Sequence, residues 1–397
     1  MRTIKTVYHF EWLDTNLPRS FRTGLSLHSH TCHSKEYLSF ISRYARRYAA
    51  IRRLLTGPLE RYRRTYGCEL DFARAWWTPP LDVREAYDLE RGQIETRLQL
   101  ASHISITDHD TIAAFDELPL RPVSVEWTVP YESSFFHLGV HNIPPDGAIA
   151  WMARFAAITN GTAGSPCLQD VLSEIDRTRN MLVVLNHPFW DEAQAGPERH
   201  AALLQKFLDR FGPWIHALEF NGLRPWAENR DVNALAGDKG YPVVSGGDRH
   251  GVTPNATINL TRSRTFDEFV AEVRDGRSAI AVLRQYSEPF TLRYFRAIRE
   301  IVSDYPQAAL GRRHWADRVF YSSPDGEMRM LSREWHAGAE PLVVVAFVQS
   351  MRALGGPWLL PFIAPALWAR QRSLETLRPT RGIIWNPPRV REPLSPE

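Results

Sequence analysis

The sequence predicts an α/β protein built on a mostly parallel sheet or barrel. Three observations lead there. From about residue 100 to residue 250, helical and extended patterns alternate. The strand candidates are near-continuous apolar runs such as "MLVVLNHP", the pattern of strands buried on both faces. Polar residues fall repeatedly at the C-terminal ends of those strands, the end where α/β barrels carry their active sites.

The bulk properties agree with a soluble globular chain. It has 397 residues, 44% hydrophobic and 23% charged, enough for one large core and an appendage. A net charge of +3 does not call for nucleic acid or a membrane as partner. Cys32, Cys68 and Cys167 are widely spaced and odd in number. They form neither a disulfide framework nor a zinc ribbon, and reduced thiols are expected. The N-terminus "MRTIKTVYHFEWLD" carries charges throughout and lacks the apolar run of a secretory signal, so the expected location is cytoplasmic.

The elements follow in order. Residues Thr3 to Phe10 read as a first strand, and "TGLSLHSH" as a short strand running into polar residues. From Glu36 to about Cys68, Phe40, Ile41, Tyr44, Tyr48, Ile51 and Leu55 recur at steps fitting an amphipathic helix, with arginines mostly elsewhere on its surface. Gly57-Pro58 is expected to break it. Asp82 then offers an N-cap, with Glu85 as its capping-box partner. "HISITDHD", "PVSVEWTVP" and "FFHLGVHNI" read as strands. After them come helix "LQDVLSEIDRTRN", strand "MLVVLNHP", helix "AALLQKFLDRFG" and strand "IHALEFNG". The series closes with helix "RDVNALAGDKG", stopped by glycine, and strand "YPVVSGGDRHG".

Beyond about Leu283 the alternation fades into a mainly helical extension, residues 283–385. "VVVAFVQSMRALGGPWLLPFIAPALWA" is long and apolar, but Arg352, the Gly-Gly-Pro break and two later prolines argue for a buried helical pair. A membrane-peripheral segment and a spanning helix remain the alternatives. The tail, 386–397, reads as disordered.

The chemistry lies at the strand ends. In turn they deliver His28-x-His30, Asp108-His109, Glu126, His137, His187 and Asp248-x-His250. Residues two apart on a strand point to the same side, so both members of a His-x-His pair can face one ion. Mixed histidine and carboxylate ligands suit Zn, Mn or Fe. Each motif alone is weak; their succession along consecutive strands is the signal.

The order and wording of "LHSHT", "SITDHDTIAAF", "VEWTV", "HLGV", "VVLNHP", "LEFN" and "GGDRHG" resemble the sequential motifs of the PHP (polymerase and histidinol phosphatase) superfamily. The resemblance covers roughly residues 23–282. It implies a distorted seven-stranded PHP-type β/α barrel, two or three divalent metal ions, and hydrolysis of a phosphorylated small molecule, nucleotide or oligonucleotide. It further implies that His28 and His30 hold one ion with Asp248, and that Glu126 bridges to a neighbour. His109, His137, His187 and His250 would complete the cluster. Neighbouring cations lower the pKa of a bridging water and neutralise phosphate oxygens during in-line attack.

Two departures leave alternatives open. Where the superfamily usually has an aspartate or histidine soon after the His pair, this chain has Lys35 and Glu36. Glu36 ligates, or His33 swings in, or the site is depleted and Lys35 serves as a fixed cation on phosphate. In addition, Ser26 stands where an acidic residue usually precedes the pair. The second departure is the gap of 78 positions from His30 to Asp108, which makes 37–97 an inserted helical cap. Its Arg/Tyr-rich helix is a plain cap, or it meets nucleic acid or an anionic membrane. Asp108 is expected to orient His109 or a water, or to be a turn residue. Arg249 should point away from the ions on an extended segment, toward the surface or substrate. Arg224 and Arg230 approach phosphate at the barrel mouth or are solvated helix-face arginines, and Asn221 contacts substrate or supports a ligand, or is a turn residue. A barrel that binds a phosphorylated ligand without turnover is the competing functional reading.

Overall fold

Strand Thr23–Ser26 is buried along its whole length, and the His-x-His pair lies just beyond it. The computed structural model describes residues 5–13, 17–118, 122–162, 164, 167–323, 326–334, 340–359, 362 and 364–368; the expected tail lies outside them. The architecture is mixed α/β with three sheets. In the first, strands run in the order Lys5–Phe10, Arg277–Val282, Thr257–Thr261, Thr23–Ser26, Ala101–Ile104. In the second, the order is Val243–Gly246, Ala217–Asn221, Leu182–Leu185, Ser134–His141, Ser124–Tyr131.

The sheets are less parallel than expected. Among the described residues, four strand pairings are parallel and seven antiparallel. The reason is local. Ser124–Tyr131 and Ser134–His141 are joined by two residues, Glu132 and Ser133, too few for the crossover that parallel strands need. Glu132 takes a left-handed φ of 51° to close that turn.

No ladder closes the two five-stranded sheets into a barrel among the described residues. They do share a core. Leu25 and Leu27 from the first meet Val184, Ala217 and Val244 from the second, with Phe269 and Val270 of helix Phe266–Arg274 packed against them. Two isolated parallel bridges, Ser29 with Arg249 and His109 with Glu126, tie the sheets at the ligand-bearing ends.

The segment expected as a helical cap divides in two. Helix Val83–Gly92 starts at the Asp82–Glu85 capping box, continues as the π-helical turn Gln93–Leu98, and buries Val83, Ala86, Ile94 and Leu98 against Ile104 and Ile258. It therefore belongs to the main body. Helices Ser39–Arg47 and Ala49–Tyr66 form the outlying part. Their break falls at Tyr48, with φ −117° and ψ 113°, and the second helix runs through Gly57-Pro58. Proline there removes the donor to the Leu54 carbonyl, and Leu54 is 56% exposed, so the lost bond costs no buried packing.

A small third sheet, Met328–Met330, Val319–Ser322, Ala75–Trp77, Glu36–Tyr37, stitches this outlying part to the C-terminal extension. The extension is therefore not only helical. Its helix Leu342–Leu354 packs on helix Phe290–Ile301, yet Val348 is the one buried residue of the former. The described residues of the apolar segment are thus mostly exposed or half-buried instead of forming a buried pair. No helix among the described residues is long and apolar enough to cross a membrane.

Candidate metal centre

Glu126 is the hub. It is fully buried on strand Ser124–Tyr131, and its carboxylate meets five imidazoles. Oε2 lies 2.9 Å from His28 Nε2, 3.3 Å from His30 Nε2 and 3.4 Å from His109 Nε2. Oε1 lies 3.1 Å from His187 Nε2 and 3.5 Å from His137 Nδ1. The pair geometry of His28 and His30 is as the strand periodicity requires, with the two Nε2 atoms 3.0 Å apart. Asp248 Oδ1 approaches His30 at 3.6 Å and His250 Nδ1 at 3.4 Å.

Glu36 joins the same cluster. Its carboxylate stands 3.1 Å from His250 Nε2 and 3.4 Å from His109 Nε2. His33 does not join; it turns outward to Glu117 at 2.6 Å. Among the described residues, three groups of ligand atoms lie close enough to hold ions: His30, Glu36, His109 and His250; His28, His30 and Glu126; His109, Glu126 and His137.

The carboxylates and histidines are electrostatically coupled. Burial would raise Glu126, Glu36 and Asp248, but neighbouring histidines hold all three carboxyls well below the usual carboxylate range. Burial would lower His28, but Glu126 and Glu219 drive it well above an ordinary imidazole. His137 is held well below by burial, so it presents a neutral ring with a free lone pair. Against the same burial, the carboxylates raise His109, His187 and His250, so these rings hold protons that a bound cation would displace. Nitrogen and oxygen donors converge here, and divalent ions match that donor set.

The supporting groups explain the orientation. Glu219 accepts from His28 Nδ1 at 2.6 Å and from the His187 backbone N–H at 2.7 Å. This leaves His28 Nε2 facing the centre, the usual arrangement of a metal-binding histidine braced by a carboxylate. His187 and Asp248 adopt left-handed φ values of 27° and 52°, strain that such sites concentrate. The Gly-Gly before Asp248 is required by space. A Cβ on Gly246 would lie 1.7 Å from Glu219 Oε1, and one on Gly247 1.7 Å from the Asn255 side chain.

Several expectations are redirected. Asp108 accepts from Thr31 N at 2.5 Å and Thr31 Oγ1 at 2.7 Å, pinning the loop after His30 in its alternative role as a turn residue. Lys35 is exposed with Nζ over the Trp76 ring at 5.1 Å, away from the cluster. Arg249 does point away from the centre, but inward. It pairs with buried Glu90 at 2.9 Å and donates to the carbonyls of His30 and Gly251, so it is not free for substrate. Glu90 also accepts from Ser26 Oγ, so a carboxylate stands behind the His pair after all, brought from a helix. Asn221 donates to Glu219 and caps the turn at Leu223, so it braces the site without facing it. Arg230 is on helix Trp226–Lys239, apart from the residues around the cavity mouth. Arg224 does reach the centre, 3.4 Å from Asp248 and stacked over Trp190, with its Nε unpartnered.

Sequence reasoning missed Glu219, Glu90 and Glu192, the last 3.9 Å from His137 Nδ1. Glu219 had a signal: a lone carboxylate inside the apolar run "ALEF". The centre opens into a cavity of about 1410 Å³ whose wall includes Glu36, His109, His137, His187, Asp248 and His250.

No family model matches the chain, and no curated protein matches it in sequence. Solved structures show distant similarity. PsfC from Pseudomonas syringae PB-5123 is 14% identical with a TM-score of 0.35, over 52% of this chain and 86% of that one. A candidate metal-dependent phosphoesterase from Bifidobacterium adolescentis ATCC 15703 is 18% identical with a TM-score of 0.29, over 49% of this chain and 91% of that one. Similarity this low carries no argument about function, which rests on the site itself.

Proposed function

We propose that this chain is a metal-dependent phosphoesterase, hydrolysing a phosphate ester with two or three divalent ions on a distorted seven-stranded barrel of the PHP type. The observation that carries the reading is the buried Glu126 carboxylate among five imidazoles, with Asp248 and Glu36 flanking it. The ordered motifs of the sequence support it independently.

The barrel reading rests on the two isolated bridges. Tracing Ala101–Ile104 to Thr23–Ser26, across Ser29–Arg249 to the second sheet, through its five strands and back across His109–Glu126 visits seven strands. In this reading residues 1–282 form the catalytic unit, with the outlying helices inserted and 283–385 appended.

His28, His30 and Asp248 would hold one ion; His30, Glu36, His109 and His250 surround a second position; Glu126 with His137 and His187 bounds the rest. Bound divalent ions supply an activated water at neutral pH and neutralise phosphoryl oxygens. The chain's own groups do the placing. Glu219 fixes the His28 ring, Asp108 fixes the loop after His30, and Arg224 offers its unpartnered Nε to a phosphate oxygen at the mouth.

Elemental analysis of the native protein, paired with a phosphate-release screen over monoesters, diesters and oligonucleotides, tests the reading. Two or more transition-metal ions per chain and turnover abolished by His28→Ala are expected. Absence of bound metal, or full activity in His28→Ala, would overturn it.

A further inference from the structure

Helices Ser39–Arg47 and Ala49–Tyr66 are amphipathic, yet neither buries a single residue. Their apolar stripe, running through Phe40, Tyr44, Ile51 and Leu55, faces the cavity that ends at the metal centre. The opposite wall comes from the C-terminal extension, with Ile298, Ile301, Val344 and Phe347. An apolar helix face normally covers core. Here it covers open space of about 1410 Å³, above the roughly 300–1,000 Å³ of ordinary small-ligand pockets. Leu54, Leu342 and Phe347, at 56%, 86% and 52% exposure, extend the apolar character to the outside.

We infer that the substrate is an amphiphile: a phosphate ester of a long-chain apolar alcohol, its phosphate at the metal centre and its chain between the inserted helices and the C-terminal extension. This rests on the proposed phosphoesterase reading and names its substrate class. The polar groups fit the assignment. A groove for a nucleic-acid backbone needs free cations along its length. In this cavity Arg249 pairs with Glu90, Arg296 with Glu288, and Arg329 with Glu327, while Arg293 and Arg318 donate to backbone carbonyls. Among the described residues, the exposed Arg47 and Arg61 of the inserted helices are the two lining arginines with neither kind of partner, too few to line a backbone track. Arg224 has an unpartnered nitrogen, and it lies beside Asp248 at the centre, where one phosphate would sit.

The test uses the full metal-loaded chain with ethyl, octyl and hexadecyl phosphate, and a terminally phosphorylated oligonucleotide. A buried methylene is worth up to about fourfold in binding. kcat/KM is therefore expected to rise about tenfold or more from ethyl to octyl phosphate. Ile51→Asp, on a helix that buries nothing, is expected to cut the octyl-to-ethyl ratio about tenfold, while Ile51→Leu keeps it; circular dichroism checks that both fold. Running hexadecyl phosphate dispersed and in phosphatidylcholine vesicles identifies whether the amphiphile is taken from solution or from a bilayer. A second readout needs no turnover: tryptophan fluorescence of chelator-treated protein should saturate with hexadecyl phosphate and not respond to ethyl phosphate. Rates independent of chain length, or preference for the oligonucleotide, would overturn the inference while leaving phosphoesterase activity standing. Saturable hexadecyl binding without hydrolysis of any ester would sink the activity and retain the apolar site. Neither binding nor chain-length dependence would end the inference outright.

Discussion

Glu219 holds His28 Nδ1 at 2.6 Å and, with its other oxygen, the backbone N–H of His187 at 2.7 Å. One carboxylate thus sets both a ligand ring on one sheet and the strained turn of a ligand on the other. Glu219→Gln places an amide N–H against one of these donors. Metal affinity is expected to fall about 10- to 100-fold, the usual loss on removing such a brace. A chelator-competition titration measures it; unchanged affinity would contradict the assignment.

Glu36 and His33 make a matched pair of probes. Glu36 sits among His30, His109 and His250, whereas His33 pairs outward with Glu117. Glu36→Ala is expected to lower the metal content by about one ion per chain without emptying the site. His33→Ala should leave the content unchanged. Elemental analysis decides between them, and the reverse pattern would place the ligand at His33.

Arg249 and Glu90 are both buried and 2.9 Å apart. Removing one partner strands the other charge. Arg249→Met is expected to destabilise the fold by about 3–5 kcal/mol, read from urea unfolding. Replacing both residues with apolar ones of similar volume should recover much of that loss. A small effect of the single variant would mean that the pair is hydrated.

His216 reports on pH. Burial and the neighbouring Arg274 push it down to about 4. Its Nδ1 accepts from the Val183 N–H at 2.9 Å, a bond that protonation there would break. With the folded value below the unfolded one of about 6.5, the unfolded chain takes up the proton first. The stability tied to neutral His216 is present above pH ~6.5 and is lost as pH falls toward about 4, at up to about 1.4 kcal/mol per pH unit. Unfolding midpoints of the protein and of His216→Gln should therefore converge as the pH is lowered from 7 to 5. Parallel curves would remove His216 from the account.

Much of the body was legible because its signals are local. The run "MLVVL" and the Asp82–Glu85 capping box need only neighbours in sequence, and strand and cap appear where those patterns put them. The break at Tyr48, in place of Gly57-Pro58, was not legible, because an exposed helix tolerates the missing proline donor. Strand direction was also out of reach, since an apolar run reads the same whichever way its partner goes.

By itself the sequence determined which residue types stand at the strand ends, and so which side chains were available: the His28-x-His30 pair, Glu126, His137, His187 and Asp248-x-His250. How they combine was settled by the packing of the fold. It brought Glu36 rather than Lys35 or His33 to the cluster, turned Arg249 inward onto Glu90, and set Glu219 behind His28. Each outcome depends on partners 41 to 214 positions away in the chain, whose approach is set by packing and by the desolvation of buried charge. No spacing rule within a strand or helix carries that information.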